Sequence, residues 1–340
     1  MNKLFSSLRS RFPKDFIDRT ILFFRKLISV FKIPAVKAVF LSIALIFSAM
    51  YFITQYKELL EAIGSLKFNL SLILLATGLI IATVFLGTLT WWSLLSFFGF
   101  KNEWRRSAKA YANSAVAKYI PGYIWQFAGR AYFSNELNIP IKYIGVGLAI
   151  ELITTTLIGG ILAGITYLII GLQSPELNMP VSIVTMLTTL VLLLVLLAIP
   201  TILNRLTKNR HKESIKNNKK FYFHGAIFNT LGWLLMGLAF LNILRSLGIF
   251  QVSYLFALFF HTTSFVAGTL AVPFPNGLVI RETILVLLGK DTFSEELIII
   301  SSLLFRLLIL SAEVFVVLVM SITSKIKPCG DTNINTPHYS

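Results

Sequence analysis

The chain has 340 residues, of which 56% are hydrophobic and only 14% are charged. Its mean hydropathy is +0.76, and apolar runs longer than about 18 residues recur along most of it, as in membrane-spanning helices. This composition excludes a soluble enzyme, a disordered protein and a fibrous repeat. The net charge of +16 comes from basic residues at the ends of apolar runs. That placement indicates membrane topology and anionic-lipid contact, and we expect no nucleic-acid binding.

The first 33 residues form a basic segment in which Phe5, Leu8, Phe12 and Phe16 recur at helical spacing. This pattern predicts an amphipathic helix on the membrane surface, either an orientation anchor or a binding element for anionic lipid. The segment is too long for the leader of a standard signal peptide and has no small-residue cleavage site. We therefore expect the first apolar run to be retained as a span.

Six apolar runs are long enough to cross a membrane as single helices. They cover about 34–54, 69–98, 143–171, 180–203, 222–244 and 297–322. Two further apolar stretches contain helix breakers: 106–138, broken at Pro121-Gly122, and 253–289, broken at Pro273, Pro275 and Gly277. Proline removes a backbone donor and clashes with the preceding turn, so each stretch should form two part-helices joined in the membrane. The predicted fold is an all-α polytopic membrane protein with about six full spans and two re-entrant hairpins.

Basic residues are concentrated in alternate connections. Segments 1–33, 99–115 and 204–220 contain 8, 4 and 7 Lys or Arg, whereas 57–68, 172–180, 245–252 and 290–296 contain 2, 0, 1 and 1. The positive-inside rule places the N-terminus and the 204–220 loop in the cytoplasm, provided that each broken stretch begins and ends on one side. We expect a prokaryotic plasma-membrane protein with a transmembrane domain at 34–322, between the cytoplasmic segment 1–33 and a short cytoplasmic tail at 323–340.

This topology generates two units of opposite orientation, 69–171 and 222–322. Each unit has a span, a broken hairpin and a second span, and the span at 180–203 connects them. Inverted repeats with broken helices are typical of transporters, whose binding site lies where the repeats meet.

Charged residues inside spans are functional candidates because a charge within a membrane is costly. The acids are Glu151, Glu282 and Glu313, and the bases are Lys118, Arg130, Arg281 and Arg306. If the units are inverted copies, Glu151 and Arg306 occupy equivalent places and could face each other. Arg306 and Glu313 lie seven residues apart on one helix face, so a buried ion pair that fixes helix packing is the alternative for them.

The second break, Pro275-Asn276-Gly277, is followed closely by Arg281 and Glu282. A half-helix N-terminus offers free N–H groups and partial positive charge, and the planar arginine fork suits phosphate. These features predict a site for a phospholipid or polyprenyl-phosphate head group. The carboxylate beside the arginine could orient it, bind a cationic head group or carry a proton.

The first break, Pro121-Gly122, also lies close to polar and charged residues. Gln126 and Arg130 share a helix face and could line a cavity together with Lys118. These residues form the other half of the predicted head-group site.

Several chemistries have no signature in this sequence. The lone Cys329 excludes an internal disulfide, and the four histidines lack metal-ligand spacing. We expect no cofactor, no metal and no catalytic residue. His261 lies in the second hairpin, either as a packing residue or as a proton relay.

Residues 273–282 read Pro-Phe-Pro-Asn-Gly-Leu-Val-Ile-Arg-Glu. They resemble the Pro-Gly-Gly-Leu-Gly-Val-Arg-Glu motif of the lysylphosphatidylglycerol synthase transmembrane-region family, which includes the flippase-like half of the multiple peptide resistance factor. The matching positions are Pro275, Gly277, Leu278, Arg281 and Glu282, whereas Asn276 and Val279 replace glycines and Ile280 replaces valine. Segment 118–130 is similar to the family's first Pro-Gly motif, and Glu151 falls where many members have Glu-Arg, with Leu152 replacing the arginine. The resemblance covers roughly 34–322 and implies that Arg281 and Glu282 act in lipid translocation.

The expected function is therefore transport of an anionic phospholipid or a polyprenyl-phosphate-linked lipid, without enzymatic activity. Only about 18 residues follow the last predicted span, so we expect no aminoacyl-transfer domain of the kind that full-length synthases carry. The alternative is a non-catalytic membrane partner of an envelope glycosyltransferase or synthase, working through the N-terminal helix and the 204–220 loop. An intramembrane enzyme would need a catalytic constellation that the sequence does not contain.

Overall fold

The computed structural model describes residues 68–100, 104–115, 129–130, 139, 141–173, 179–208, 219–271, 277, 279–290 and 293–323. The regular elements in these ranges are all helices. They are α1 (Leu70–Phe97), α2 (Trp104–Ala115), α3 (Ile141–Leu172), α4 (Met179–Lys208), α5 (Lys219–Ser246), α6 (Tyr254–Leu270), α7 (Ile280–Gly289) and α8 (Glu295–Thr323).

Five of these helices, α1, α3, α4, α5 and α8, are long and apolar enough to cross a membrane. The prediction of an all-α polytopic membrane protein is confirmed, and these helices coincide with five of the six predicted spans. The predicted span at 34–54, the basic segment 1–33 and the tail after Thr323 lie outside the described residues.

Helices α1 and α5 pack against each other along their length in antiparallel orientation. Hydrogen bonds join Asn69 to Ser246, Thr83 to Gly232 and Thr90 to Gly225. The two glycines have no side chain, so the threonine hydroxyls of α1 reach the α5 backbone directly. Small residues at such contacts allow close helix approach where the hydrophobic effect cannot drive association.

Helices α1 and α5 end in the same C-terminal capping motif. Gly99 and Gly248 have φ values of 91° and 87°, a left-handed conformation that favours glycine. After each glycine, the next residue donates its N–H to the carbonyl five positions earlier, at 3.1 Å in both cases. This hydrogen bond is that of the Schellman motif. Each long helix is then followed by a short one, α2 or α6.

Glycines also fix the position of α3 between its neighbours. A methyl group on Gly159 would lie within 3.0 Å of Trp233 of α5 and Val266 of α6. One on Gly164 would overlap Thr189 of α4. Helix α4 packs mainly on α3 and leaves most of its apolar side chains exposed, as a lipid-facing helix does.

Helices α6 and α7 form an antiparallel hairpin in which neither limb is long enough to span a bilayer. Their 17 and 10 residues correspond to about 25 and 15 Å, against a hydrocarbon core of about 30 Å. The end of α6 at Gly268 contacts Gly277, whereas Phe260 lies near Gly289 at the other end. The predicted break in 253–289 therefore coincides with the gap between α6 and α7.

The predicted first hairpin, 106–138, is described in part. Helix α2 accounts for its first limb, and residues 129–130 are helical. Its break at Pro121-Gly122 lies outside the described residues.

Candidate functional site

An ion pair joins the second hairpin to α8. Arg306 Nη2 lies 2.8 Å from Glu282 Oε1, and the Ser302 hydroxyl donates to the same oxygen at 3.1 Å. The Arg306 guanidinium also approaches the Gly277 carbonyl oxygen at 3.5 Å. Glu282 is buried, with 9% of its surface exposed. Arg306 therefore holds both the break and the first turn of α7 against α8.

Arg281 lies in the first turn of α7, next to Glu282. Its Cζ is 3.9 Å from the centroid of the Phe265 ring, a cation–π contact. A methyl group on Gly268 would come within 2.6 Å of the Arg281 side chain, and one on Gly277 within 3.0 Å. These two glycines make room for the arginine, which remains half-buried.

A buried histidine and several aromatic rings pack close to Arg281. His261 is 5% exposed and lies within electrostatic range of Arg281. Its ring contacts those of Trp233, Phe240, Phe265 and Phe305. These contacts are those of a packing residue.

Two guanidinium groups meet beside the break. Gly277 lies against the Arg281 side chain, and its carbonyl oxygen is 3.5 Å from Arg306, which also pairs with Glu282. Planar guanidinium groups match the geometry of phosphate and carboxylate oxygens. This chemistry would suit an anionic group.

A second ionic cluster is centred on Arg130, which is only 1% exposed. Its Nη1 lies 3.0 Å from Glu151 Oε2, and its Nε donates to the Ser114 hydroxyl. Its Cζ is 4.0 Å from the Tyr111 ring centroid and 4.7 Å from that of Trp91. The guanidinium is thus enclosed between two aromatic rings, a hydroxyl and a carboxylate.

Helix α8 connects the two clusters. Arg306 belongs to the first, whereas the buried Glu313 lies within electrostatic range of Tyr111 in the Arg130 cluster. Seven residues of α-helix correspond to a rise of about 10 Å. The two clusters are therefore arranged one after the other along α8.

The pairing of the charges differs from the expected one. Glu151 pairs with Arg130, and Arg306 pairs with Glu282, so each forms an ion pair within its own unit. The opposition of Glu151 and Arg306 expected from the repeat is not what the structure shows. The other predicted site residues lie outside the described part: Lys118, Pro121, Gly122, Gln126, Pro275 and Asn276.

Several partners of the charged residues carry no recognisable signal in the sequence. Ser302 lies four residues before Arg306, on the same face of α8, and this spacing is the one clue available. Tyr111 and Ser114 lie on α2 and Phe265 lies on α6, each outside the helix of the arginine that it contacts, so only packing brings them to the arginines. Within the described ranges, no group of three or more His, Cys, Asp or Glu is placed to hold a metal.

The sequence matches the family described as "Lysylphosphatidylglycerol synthase TM region" over residues 39–318. The chain belongs to this family. No curated protein matches it. The family match and the five apolar helices identify a multi-pass membrane protein of the flippase-like type.

Val279 departs from the family's motif at a position where the backbone favours glycine. Its φ is 69° and its ψ is −48°. Among the described residues, no other non-glycine residue has a positive φ. A β-branched side chain is strained in this conformation. The Thr283 N–H donates to the Val279 carbonyl at 2.8 Å, so the strained residue is the first acceptor of α7.

We expect Val279→Gly to be more stable than Val279→Ala by about 1 kcal/mol. Both variants lose the same valine contacts, so the difference isolates the backbone strain. In an ordinary helix the order is reversed, with alanine better than glycine by about 1 kcal/mol. Thermal unfolding of the two purified variants checks the order. An alanine variant as stable as the glycine variant would show that the positive φ does not persist.

Proposed function

We propose that the protein moves an anionic lipid between the leaflets of a prokaryotic plasma membrane, with its N-terminus in the cytoplasm. The cargo is a phospholipid or a polyprenyl-phosphate-linked lipid. The observation that carries this proposal is that two guanidinium groups, those of Arg281 and Arg306, meet around Gly277 at the start of α7. Membership of a flippase-like family agrees with it.

In this proposal Arg281 binds the lipid phosphate. Its guanidinium is half-buried and offers planar paired donors that match phosphate geometry. The N-terminus of the ten-residue α7 lies beside it and adds partial positive charge. Arg306 acts as a positioning residue, since Glu282 and the Gly277 carbonyl already engage it.

The path for the head group follows α8, from the Arg130 cluster to the Arg281 cluster. Each step of about 10 Å then brings the head group from one ionic environment to the next instead of into hydrocarbon. The antiparallel α1–α5 pair and its matching glycine caps support an inverted repeat. A rocking motion of one unit against the other would expose the clusters to each leaflet in turn.

Lipid movement in vesicles that contain the purified protein tests this proposal. We expect Arg281→Gln to slow the exchange of a fluorescent anionic phospholipid at least about tenfold, since a charged hydrogen bond contributes about 1.5–3 kcal/mol. Arg245→Gln is the matched control, because Arg245 is a half-buried arginine at the end of α5. Thermal unfolding of both variants verifies that they remain folded.

Unchanged transport in the double variant Arg281→Ala and Glu282→Ala would reject the assigned site. A wild-type protein that moves no lipid would reject transport itself. In that case, stable co-purification with an envelope glycosyltransferase or synthase would favour the role of a non-catalytic membrane partner.

A further inference from the structure

Two glycines and one aromatic ring of the α6–α7 hairpin form a cradle for the Arg281 side chain. A methyl group on Gly268 would lie 2.6 Å from the Arg281 Cγ and 2.8 Å from its Nε. A methyl group on Gly277 would lie 3.0 Å from the same Nε. The stem of the arginine therefore lies against both glycines, at positions where a side chain would obstruct it.

Beyond the glycines, the guanidinium lies over the face of the third member of the cradle, Phe265. The Arg281 Cζ is 3.9 Å from the ring centroid, well within the distance of about 6 Å at which a ring attracts a cation. Phe265 precedes Gly268 by three residues and shares its face of α6. The arginine side chain thus extends along α6 for about one helical turn.

Neighbouring rings hold the Phe265 ring in turn. Trp233 of α5 meets it edge to face, with a centroid distance of 5.0 Å and an interplanar angle of 83°. His261, one turn earlier on α6, has its ring centroid 5.9 Å away. Both neighbours are buried, each with 5% of its surface exposed. The face that Phe265 presents to the guanidinium is therefore fixed by packing.

The cradle restricts how a ligand can approach Arg281. Phe265 covers one face of the guanidinium, and the two glycines lie against the buried Nε. The arginine as a whole is half-buried. These contacts favour an approach toward the two terminal nitrogens, whose parallel N–H groups match two oxygens of a phosphate.

We propose that Phe265 is a positioning residue whose ring holds the Arg281 guanidinium in place for the phosphate of an anionic lipid. A long side chain that is free to change rotamer must be ordered when a ligand binds, and this ordering weakens binding. The ring reduces that loss because it orders the arginine beforehand. This inference rests on the proposed function, in which Arg281 binds the phosphate, and adds the residue that orients the arginine.

A double-mutant cycle on the purified full-length chain tests this role. The probe is dioctanoyl phosphatidic acid, and its affinity is measured by titration calorimetry in detergent. We expect Phe265→Leu to weaken binding about fivefold, because the cation–π attraction is lost while an apolar side chain remains. In the Arg281→Gln background the same substitution should leave the affinity unchanged, since no cation remains for the ring to hold.

Fluorinated phenylalanines at position 265 separate the electrostatics of the ring from its packing. Fluorine withdraws electrons from the ring face but changes the ring's size little, so each added fluorine should lower its attraction for a guanidinium. Phenylalanines with one, two and three fluorines should weaken binding of the probe stepwise, toward the affinity of Phe265→Leu. Phe265→Tyr retains the ring face and should bind the probe as the wild type does.

Phe240→Leu is the matched control. The Phe240 ring also neighbours His261, at a centroid distance of 6.4 Å, and packs against Phe305. This substitution removes a ring of the same size from the surrounding aromatic cluster, and we expect it to leave the affinity for the probe unchanged. Thermal unfolding of every variant verifies that it remains folded.

Equal weakening by Phe265→Leu in both backgrounds would overturn the inference, and so would a fluorine series without a trend, since the ring would then act through packing alone. The proposed function has separate outcomes. If Arg281→Gln binds the probe as tightly as the wild type, the assigned phosphate site is rejected, and the role of Phe265 with it. If the coupling is measured but vesicles show no lipid movement, the role of Phe265 stands and the proposed transport does not.

Discussion

Arg130→Ala is expected to lower the free energy of unfolding by about 3–5 kcal/mol. The substitution removes a guanidinium that is 1% exposed and that pairs with Glu151 at 3.0 Å. It also removes the cation–π contacts with Tyr111 and Trp91 and the hydrogen bond to Ser114. A buried carboxylate and a cavity remain. Thermal or denaturant unfolding in detergent micelles measures the loss.

Two variants separate the ion pair from the general effect of losing an arginine. Arg105→Ala removes an exposed arginine from α2 and should change stability by less than about 0.5 kcal/mol. The double variant Arg130→Met and Glu151→Met replaces both charges with apolar side chains and should recover most of the lost stability, since no charge remains unpaired. A full loss in the double variant would show that packing, not the unpaired charge, dominates.

Gly277→Ala is expected to destabilise the protein by about 2–4 kcal/mol. The glycine has a φ of 64°, which is unfavourable for alanine. Its added methyl group would also lie 2.7 Å from the Gly268 Cα and 2.9 Å from the Gly268 carbonyl oxygen. Both contacts are with backbone atoms, so a side-chain rotation cannot relieve them. The limbs of the α6–α7 hairpin must move apart.

The matched control is Gly78→Ala in the exposed face of α1. A methyl group there meets nothing within 4 Å, and alanine is the better helix former by about 1 kcal/mol. We expect this variant to be as stable as the wild type or more stable. Thermal unfolding of both glycine variants gives the comparison. Equal stabilities would mean that the two limbs of the hairpin are not in backbone contact at Gly277.

The two arginines that follow the predicted breaks occupy different environments, although the sequence pattern predicts a head-group site beside both breaks. Arg130 is enclosed by rings and by its ion pair, whereas Arg281 is half-buried and lies against the Phe265 ring. We therefore expect Arg130 to stabilise the protein. Arg281 is the arginine proposed to bind a phosphate, so the mutation of each should affect a different measurement.

Periodicity and composition were sufficient to predict the elements. Runs of about 20 apolar residues predicted α1, α3, α4, α5 and α8 to within a few residues, because a bilayer imposes a minimum length and apolar character on each span. Pro273, Pro275 and Gly277 predicted the gap between α6 and α7. The Pro-Gly-containing motif also identified the family, since its residues occur together in a short segment.

The sequence by itself determined that this chain is a helical membrane protein with a broken hairpin and ionic residues within its spans. Those features are local, because they depend on run length, proline and residue type. Only the tertiary structure decided which charges meet, with Arg130 facing Glu151 and Arg306 facing Glu282. Each of these contacts depends on the rotation and spacing of helices from distant parts of the chain, and glycine contacts and packing set both.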